Sequence, residues 1–347
     1  MEIKQIAAKF SVSEITDISI ITGGHINQSY LVANEQNEHF VLQKINTTVF
    51  QNPVDIIDNL IKINRLLDSS DYPYRIAGLR PTIKKESYYQ DKAGCWRSMD
   101  YIDNTKNLKV CPNAKIAAST GKAFGLFAKY LRELPTKEIK IVIPDFRNPE
   151  HYFRKLEKAI EVNYNNRVKD AEELISNAFS NCNIIDKYKV AIKEHPIRLV
   201  HNDTKISNLL FNKDLSEVKA IIDFDTVMPG YLINDFGDMV RSVCNPAAED
   251  EADLSKVVYN ADYYKNLHKS YLFALMGTIT PEEKAALNVG AKSVIYTQFI
   301  RFLSDYLVGD KYYRIEFKNQ NLNRAKVQLH LLLQIINLED EFKIFAH

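Results

Sequence analysis

The segment that most constrains this chain is residues 200–236, which places four polar side chains around two short apolar runs. The apolar runs are NLLF at 208–211 and VKAIIDF at 218–224, and the polar sequence NKDLSE joins them. Two short apolar runs joined by a polar turn predict a β-hairpin. The polar residues at the base of this hairpin are, in chain order, His201, Asp203, Asn208 and Asp223.

The spacing of these residues indicates a particular chemistry. Asn208 follows Asp203 by five residues, and Asp223 ends the second predicted strand. In kinases with this pattern the first Asp accepts the proton of the attacking hydroxyl, and the Asn and the second Asp hold the Mg²⁺ ions that neutralise the phosphates. The alternative is a surface hairpin whose aspartates and asparagine only form local turns. We favour the kinase hypothesis because all the elements occur in order within about two dozen residues.

Length and composition limit the classes of protein to which this chain can belong. A chain of 347 residues, 46% of them hydrophobic and 26% charged, is long enough for two lobes with separate cores. A net charge of +1 favours neither a nucleic-acid partner nor a membrane surface. The four cysteines are scattered and the N-terminus lacks the apolar core of a signal peptide, so we expect a cytoplasmic protein. No apolar run approaches the ~18 residues of a membrane span.

Residues 1–102 predict a nucleotide-binding lobe. Its first strands are predicted at 18–21, 30–33 and 40–45. Gly23 and Gly24 lie between the first two strands, where the missing Cβ lets backbone N–H groups approach phosphate oxygens. Such a pair is also common in plain hairpin turns. Lys44 lies in the third strand, where a kinase needs a cation for the α- and β-phosphates.

The helix that follows is predicted to start with Asn52 as N-cap and Pro53 as first helical residue. In a kinase-like lobe this helix carries a glutamate that pairs with the strand lysine. Here its only carboxylates before Asp68 are Asp55 and Asp58, which are shorter by one methylene. Which carboxylate, if any, pairs with the strand lysine therefore stays open.

Residues 82–102 predict a second hairpin, and its end would be the hinge between the lobes. We expect adenine to bind the hinge backbone at Asp100 and Ile102. The Met99 side chain either stacks on adenine or packs in the core.

Residues 103–347 predict a mainly helical lobe that supplies the acceptor site. Helices are predicted at 113–133, from 149, from a capping box at 280–283, and at 322–337. Within this lobe we interpret Asp235 as a carboxylate that braces the catalytic loop, and Arg241 either as an acceptor contact or as part of a surface ion pair.

A late segment, residues 301–313, combines charged and aromatic side chains. Arg301 and Asp305 are four residues apart on a predicted helix and so can pair with each other. Flat aromatic faces such as that of Tyr312, close to charged groups, also suit a sugar site.

These residues resemble a known family. HNDTKISNLLF, IIDFDTVMPG and NDFGD are similar to strings of the aminoglycoside phosphotransferase and choline kinase superfamily. Within it, the N-acetylhexosamine 1-kinases are most similar, through GGHINQSYLV, the string D-F-G-D followed by Arg241, and R-F-L-x-D-Y-L-x-G-D from Arg301. The resemblance spans about residues 20–315.

The resemblance implies a two-lobed protein-kinase-like α+β fold, with a small antiparallel-sheet N-lobe and a larger helical C-lobe. It implies ATP and Mg²⁺ as cofactors and transfer of phosphate to the anomeric hydroxyl of GlcNAc or GalNAc. The roles it implies are Asp203 as base, Asn208 and Asp223 as metal ligands, and Lys44 as phosphate contact. Arg241, Arg301 and Tyr312 would be acceptor contacts, and His201 and Asp235 supporting groups. Asp225 is either a supporting group or a metal ligand.

Two other classes stay open. One is a kinase of another small hydroxyl acceptor: choline, homoserine, methylthioribose or an aminoglycoside. The other is a non-catalytic nucleotide-binding protein, which is disfavoured because the base, both metal ligands and the lysine are all present. Nothing in the sequence ranks GlcNAc over GalNAc or indicates an oligomeric state.

Overall fold

The computed structural model describes residues 2–21, 26–92 and 94–338. An antiparallel sheet forms the amino-terminal part and helices dominate the carboxy-terminal part, which confirms the predicted α+β fold class. Gly23 and Gly24, predicted to contact phosphates, lie outside the described residues. In the described part of the chain, no helix combines the length and the apolar character that crossing a bilayer requires.

The amino-terminal sheet has six antiparallel strands. They are β1 (Ile15–Ile21), β2 (Gln28–Asn34), β3 (His39–Ile45), β4 (Leu79–Arg80), β5 (Tyr89–Asp91) and β6 (Gly94–Asp100). Their order is β1-β2-β3-β6-β4, and β5 pairs with another stretch of β6. The three strands predicted first are β1, β2 and β3. The first arm of the hairpin predicted at 82–102 is wrong over most of its length, because Thr82, Lys85 and Glu86 bond to one another in a tight turn.

The two faces of this sheet pack against different helices. Helix α1 (Ile3–Ala7) covers Phe40, Leu42 and Trp96, whereas α2 (Pro53–Asp68) packs with Ile45 and Cys95. Even-numbered residues of β3 therefore face α1 and odd-numbered residues face the other way, as strand alternation requires.

Five short strands lie in the carboxy-terminal part. They are β7 (Thr105–Asn107), β8 (Arg198–Val200), β9 (Leu209–Asn212), β10 (Val218–Ile221) and β11 (Met228–Gly230). Strands β9 and β10 pair antiparallel, with Leu209 opposite Ile221, so the hairpin predicted from the polar motif is confirmed. Strand β7 extends this sheet, and β8 pairs with β11.

Nine further helices lie in the described part of the chain. They are α3 (Ala114–Leu131), α4 (Pro149–Val162), α5 (Glu172–Ser180), α6 (Asn183–Ile192), α7 (Leu232–Val243), α8 (Ala261–Ala274), α9 (Pro281–Ala285), α10 (Leu287–Leu307) and α11 (Gln320–Asn337). The helices predicted from sequence correspond to α3, α4, α9 and α11. Thr280 and Glu283 form the predicted capping box.

A close crossing of α7 and α10 positions the acceptor side of the molecule. A Cβ on Gly237 would lie 2.4 Å from the carbonyl oxygen of Gly290, and a Cβ on Gly290 would lie 2.2 Å from that of Ile233. Only glycine permits such backbone contact. The crossing brings Arg241 of α7 and Arg301 of α10 to one cleft.

Candidate active site

Asp203 follows β8 in a loop that Asp235 holds in place. The buried carboxylate of Asp235 accepts the backbone N–H groups of His201 at 2.9 Å and Asn202 at 2.7 Å. The hydroxyl of Thr204 donates to the Asp235 carbonyl at 2.6 Å. Burial raises the pKa of Asp235 to about 7. These contacts are the ones that the predicted bracing role requires.

His201 connects this loop to the strand end that carries Asp223. Its Nδ1 accepts the backbone N–H of Asp203 at 3.3 Å, so the ring proton is on Nε2, which donates to the carbonyl of Ile222 at 3.2 Å. Burial lowers the pKa of His201 to about 4, which keeps the ring neutral. The surrounding rings are Phe124, Phe127 and Phe224. His201 is therefore a positioning group rather than an acid or a base.

Two donors converge on the Asp203 carboxylate. Lys205 Nζ lies 2.9 Å from Oδ2, and the Asn208 amide donates to the same oxygen at 2.8 Å. Burial by itself would raise the pKa of Asp203, but the positive charge of Lys205 and of nearby groups outweighs it and holds the pKa well below its usual range. Lys205 is missing from the predicted site, although its place two residues after Asp203 is visible in the sequence.

Asp223 lies at the end of β10 with a left-handed backbone (φ 67°, ψ 59°). The N–H of Ile222 donates to the carbonyl of Asn208 at 3.0 Å, so the two predicted metal ligands are adjacent across the hairpin base. The Asp223 side chain is reached by solvent at the cleft. Desolvation by the surrounding protein, followed by repulsion from Asp225 and Asp203, raises its pKa above the ordinary value of an aspartate.

Asn208 and Asp223 fit a hard divalent cation bound together with phosphates. Among the described residues, no group of three or more His, Cys, Asp or Glu side chains is arranged to hold an ion. Mg²⁺, however, usually takes only one or two carboxylates and completes its shell with waters and substrate phosphates. The Asn208 Nδ2 donates to Asp203, which leaves Oδ1 for a cation. A cation here would relieve the carboxylate repulsion that raises the pKa of Asp223.

Asp225 is engaged by protein on both oxygens. Arg97 Nη2 lies 2.6 Å from Oδ1, and the amide of Asn27 donates to Oδ2 at 2.7 Å. Both Arg97 and Asp225 are buried. Of the two roles open to Asp225, a supporting group or a metal ligand, these contacts favour the supporting one.

The structure does not bring Lys44 to the cleft. Its Nζ lies 5.6 Å from the centre of the Trp96 ring, on the face of the sheet that α1 covers. The neighbouring Gln43 lines the cleft instead. Adjacent residues of a strand point to opposite faces of the sheet, so Gln43 and Lys44 cannot both face the cleft. The prediction that Lys44 contacts the phosphates is therefore not supported by its position.

The carboxylates of α2 have a partner of their own. Asp55 and Asp58 both form ion pairs with Lys140, the second at 3.0 Å. These pairs raise the pKa of Lys140. Neither Asp55 nor Asp58 therefore supports Lys44, because both pair with Lys140.

The predicted hinge lies at the end of β6. The backbone N–H of Asp100 donates to the carbonyl of Gly78 at 2.9 Å, and the Asp100 side chain lies 3.6 Å from Arg80. Ile102 is buried, and its carbonyl accepts the hydroxyl of Thr105 at 2.8 Å. Met99 packs in the large core. A role for Asp100 and Ile102 in adenine binding stays a prediction.

One cleft of about 850 Å³, measured out to its open mouth, joins the catalytic residues to the predicted acceptor residues. Its catalytic wall consists of Asp203, Lys205, Asp223 and Asp225. A second set of lining residues, here called the acceptor wall, consists of Phe146, Arg147, Asp238, Arg241, Glu249, Gln298, Arg301, Phe302, Tyr312 and Tyr313. The three acceptor residues predicted from sequence, Arg241, Arg301 and Tyr312, thus lie together beside Asp203.

The acidic side chains of the acceptor wall are paired with arginines. Arg241 donates to Asp238 at 2.8 Å and to Glu249 at 2.7 Å. Arg147 lies 3.1 Å from the other oxygen of Asp238 and donates to the carbonyl of Asn202 at 2.9 Å. Arg241 is thus part of a buried network rather than a surface ion pair. Arg147 and Glu249 lack a recognisable sequence signal, because they lie far from the motif.

Arg301 differs, because no ion pair to a carboxylate engages it in the described part of the chain. Its guanidinium lies 4.7 to 5.6 Å from the ring centres of Phe146, Tyr152, Tyr312 and Tyr313. Its polar contacts, to Gln298 at 3.4 Å and to the Tyr312 hydroxyl at 3.5 Å, are long. The pair that its spacing to Asp305 allows is not formed.

Asp305 instead holds the loop that follows its helix. Its carboxylate accepts the backbone N–H groups of Lys311 at 2.9 Å, Tyr312 at 2.8 Å and Tyr313 at 2.9 Å. These bonds place the Tyr312 ring against Arg301.

Comparisons with known proteins identify the family and similar folds. Residues 17–266 match the model of the phosphotransferase enzyme family. An aminoglycoside phosphotransferase from Alicyclobacillus acidocaldarius superposes with a TM-score of 0.63 at 11% identity, covering 99% of this chain and 97% of that one. A microcompartment-associated aminopropanol kinase gives 0.63 at 11% identity, with 97% of each chain covered.

An ethanolamine kinase from Plasmodium vivax superposes with a TM-score of 0.58 at 12% identity, covering 90% of this chain and 82% of that one. At such identities these likenesses concern the fold. The match of the family model extends over more than half of the chain. The chain belongs to the phosphotransferase enzyme family.

Proposed function

We propose that this protein is an ATP- and Mg²⁺-dependent kinase that phosphorylates the anomeric hydroxyl of an N-acetylhexosamine, GlcNAc or GalNAc, to give the sugar 1-phosphate. The family match supports phosphotransfer. The acceptor assignment depends on the charge of the acceptor wall, which lines the same cleft as Asp203.

The catalytic roles follow from the contacts of the loop. Asp203 is kept ionised by Lys205, and it orients the acceptor hydroxyl and takes its proton as the bond to phosphorus forms. An anomeric hydroxyl is more acidic than an ordinary alcohol, so a carboxylate of low pKa suffices. Asn208 and Asp223 hold the metal, which supplies charge neutralisation at the phosphates when bound. Lys205 adds a second positive charge next to the transferred group.

The observation that carries the acceptor class is the environment of Arg301. This guanidinium is buried in the cleft wall, and no carboxylate ion pair engages it in the described part of the chain. The nearby acids Asp238 and Glu249 are already paired with Arg147 and Arg241. A cationic acceptor next to Arg301 would meet a guanidinium whose charge no carboxylate pair offsets in the described part of the chain, which is unfavourable at short range.

A neutral sugar fits the same wall. Its hydroxyl and amide oxygens accept hydrogen bonds from Arg301, and its ring packs on an aromatic face such as that of Tyr312. An acceptor with a carboxylate, such as homoserine, is the second candidate, because Arg301 has donor capacity for it.

An acceptor panel tests this proposal. ADP release is measured with GlcNAc, GalNAc, their methyl glycosides, homoserine, choline, aminopropanol and an aminoglycoside. We expect turnover with the two free sugars and none with the methyl glycosides, in which the anomeric oxygen is blocked. Phosphorus NMR of the product identifies the 1-phosphate. Turnover of choline or the aminoglycoside without turnover of the sugars would exclude the sugar kinase and leave the family assignment intact.

A further inference from the structure

The amino-terminal sheet contains a buried arginine that points to the carboxylates of the active site. Arg97 lies on β6 and is 1% exposed. Its Nη2 lies 2.6 Å from Oδ1 of Asp225. A charged pair removed from water is costly unless its geometry and its remaining hydrogen bonds are good. Asp225 is two residues from Asp223, the proposed metal ligand.

The guanidinium of Arg97 also fixes the residue that replaces Lys44 at the cleft. Arg97 Nε and Nη2 donate to Oε1 of Gln43 at 3.0 and 2.7 Å. Gln43 Nε2 donates in turn to the hydroxyl of Ser29 at 2.9 Å. Gln43 and Ser29 both line the cleft. Nη1 of Arg97 has no hydrogen-bond partner in the described part of the chain, so the guanidinium retains donor capacity.

Asn27 completes the connection between the sheet and the catalytic loop. Its amide donates to Oδ2 of Asp225 at 2.7 Å, while its Oδ1 accepts the backbone N–H of Asn46 at 3.0 Å. Asp225 thus contacts Arg97 on β6 and Asn27 just before β2, two residues that are far apart in sequence. Lys44 takes no part, because it lies on the other face of the sheet over Trp96.

We propose that Arg97, acting through Asp225 and Gln43, is the positioning cation of the amino-terminal sheet on which binding of metal–ATP phosphates depends, in place of Lys44. This inference rests on the proposed kinase function. Its physical basis is that one buried guanidinium aligns the metal-side carboxylates and the cleft wall with the phosphates. Substituting groups that orient metal ligands typically lowers metal affinity or activity by about 10- to 100-fold.

Binding of nucleotide without turnover tests the proposal. Calorimetry with ATP plus Mg²⁺, and separately with adenosine, is carried out on the unsubstituted protein and on R97K, R97M and K44M. We expect R97K and R97M to weaken Mg²⁺–ATP binding by about tenfold or more, to leave adenosine binding unchanged, and to leave the acceptor KM nearly unchanged. K44M is expected to bind Mg²⁺–ATP as the unsubstituted protein does.

Two further variants separate positioning from folding. R97M leaves the buried carboxylate of Asp225 without its ion-pair partner, which can unfold the protein. The double variant R97M/D225N therefore removes both charges at similar volume. We expect it to fold and still to lose Mg²⁺–ATP affinity. R154M, at an exposed arginine paired with Glu150, is the matched control.

The outcomes distinguish this inference from the proposed function. Normal Mg²⁺–ATP affinity in R97K and in the folded double variant overturns the inference alone, as does a loss confined to K44M. Absence of ATP binding and ADP release in the unsubstituted protein overturns the proposed function and the inference with it.

Discussion

Nζ of Lys205 lies 2.9 Å from Oδ2 of Asp203, and the amide of Asn208 donates to the same oxygen at 2.8 Å. Both donors converge on one oxygen, and in the described part of the chain no hydrogen bond engages Oδ1. The pairing keeps Asp203 ionised and leaves one oxygen for an acceptor hydroxyl.

Replacing Asp203 by Asn should reduce kcat by about 10²–10⁴, the range expected for loss of a general base. ATP affinity should change little, because the metal ligands remain. Steady-state ADP release and calorimetric ATP binding measure the two effects. Near-normal turnover in a folded Asp203→Asn protein would remove this residue from the mechanism.

The two proposed metal ligands should respond differently to Mg²⁺. Asp223→Ala should abolish Mg²⁺-dependent ATP binding, because the phosphate charge is then poorly neutralised. Asn208→Ala should raise the Mg²⁺ concentration needed for half-maximal activity, and excess Mg²⁺ should partly restore turnover. Titrations of Mg²⁺ at fixed ATP measure both. If the Mg²⁺ dependence is the same in both variants as in the unsubstituted protein, the ligand assignment is wrong.

Replacing Arg301 by Ala should raise the KM for GlcNAc or GalNAc and leave the KM for ATP nearly unchanged. A lost charged hydrogen bond costs about 1.5–3 kcal/mol, which corresponds to roughly 10- to 150-fold. Arg301→Lys should recover only part of the loss, because it keeps the charge without the planar fork. Arg154→Ala, which removes an exposed arginine, serves as control. An unchanged sugar KM in Arg301→Ala would contradict the proposed acceptor site.

His268 should make the fold sensitive to acid. Burial, with a smaller contribution from Lys284, lowers its pKa to about 4, and its ring stacks on Tyr264. In the unfolded chain the pKa of this histidine is near 6.5. Between pH 4 and pH 6.5 the unfolded chain therefore binds more protons at this residue than the native protein does. Stability from this group is present above about pH 6.5 and is lost as the pH falls towards 4.

At pH 5 the loss from His268 amounts to about 2 kcal/mol. Urea unfolding of the unsubstituted protein and of His268→Gln, at pH 7.5 and pH 5, isolates this contribution as the difference between the two pH dependences. His201 is present in both proteins, so its own titration cancels. Equal pH dependences in the two proteins would show that His268 titrates normally.

Sequence reasoning was sufficient where the determining interactions are local. The order of Asp203, Asn208 and Asp223 around two apolar runs predicted the hairpin and the adjacency of its polar residues, because a short turn and neighbouring backbone bonds set that geometry. Helix starts at Pro149 and Pro281 were predictable for the same reason, since caps act within one turn. The family resemblance added the two-part α+β architecture.

Tertiary structure alone decided which side chains meet across the fold. The side chains of Asn27 and Asp225 form a hydrogen bond although 198 residues separate them. Gln43 rather than Lys44 lines the cleft, because packing of α1 against the sheet sets which face of β3 each residue occupies. Arg301 and Asp305 have the spacing of a helical pair, yet Asp305 binds loop N–H groups. Spacing defines which partners are within reach, whereas the choice among them depends on burial and on the competing hydrogen bonds that only the assembled protein offers.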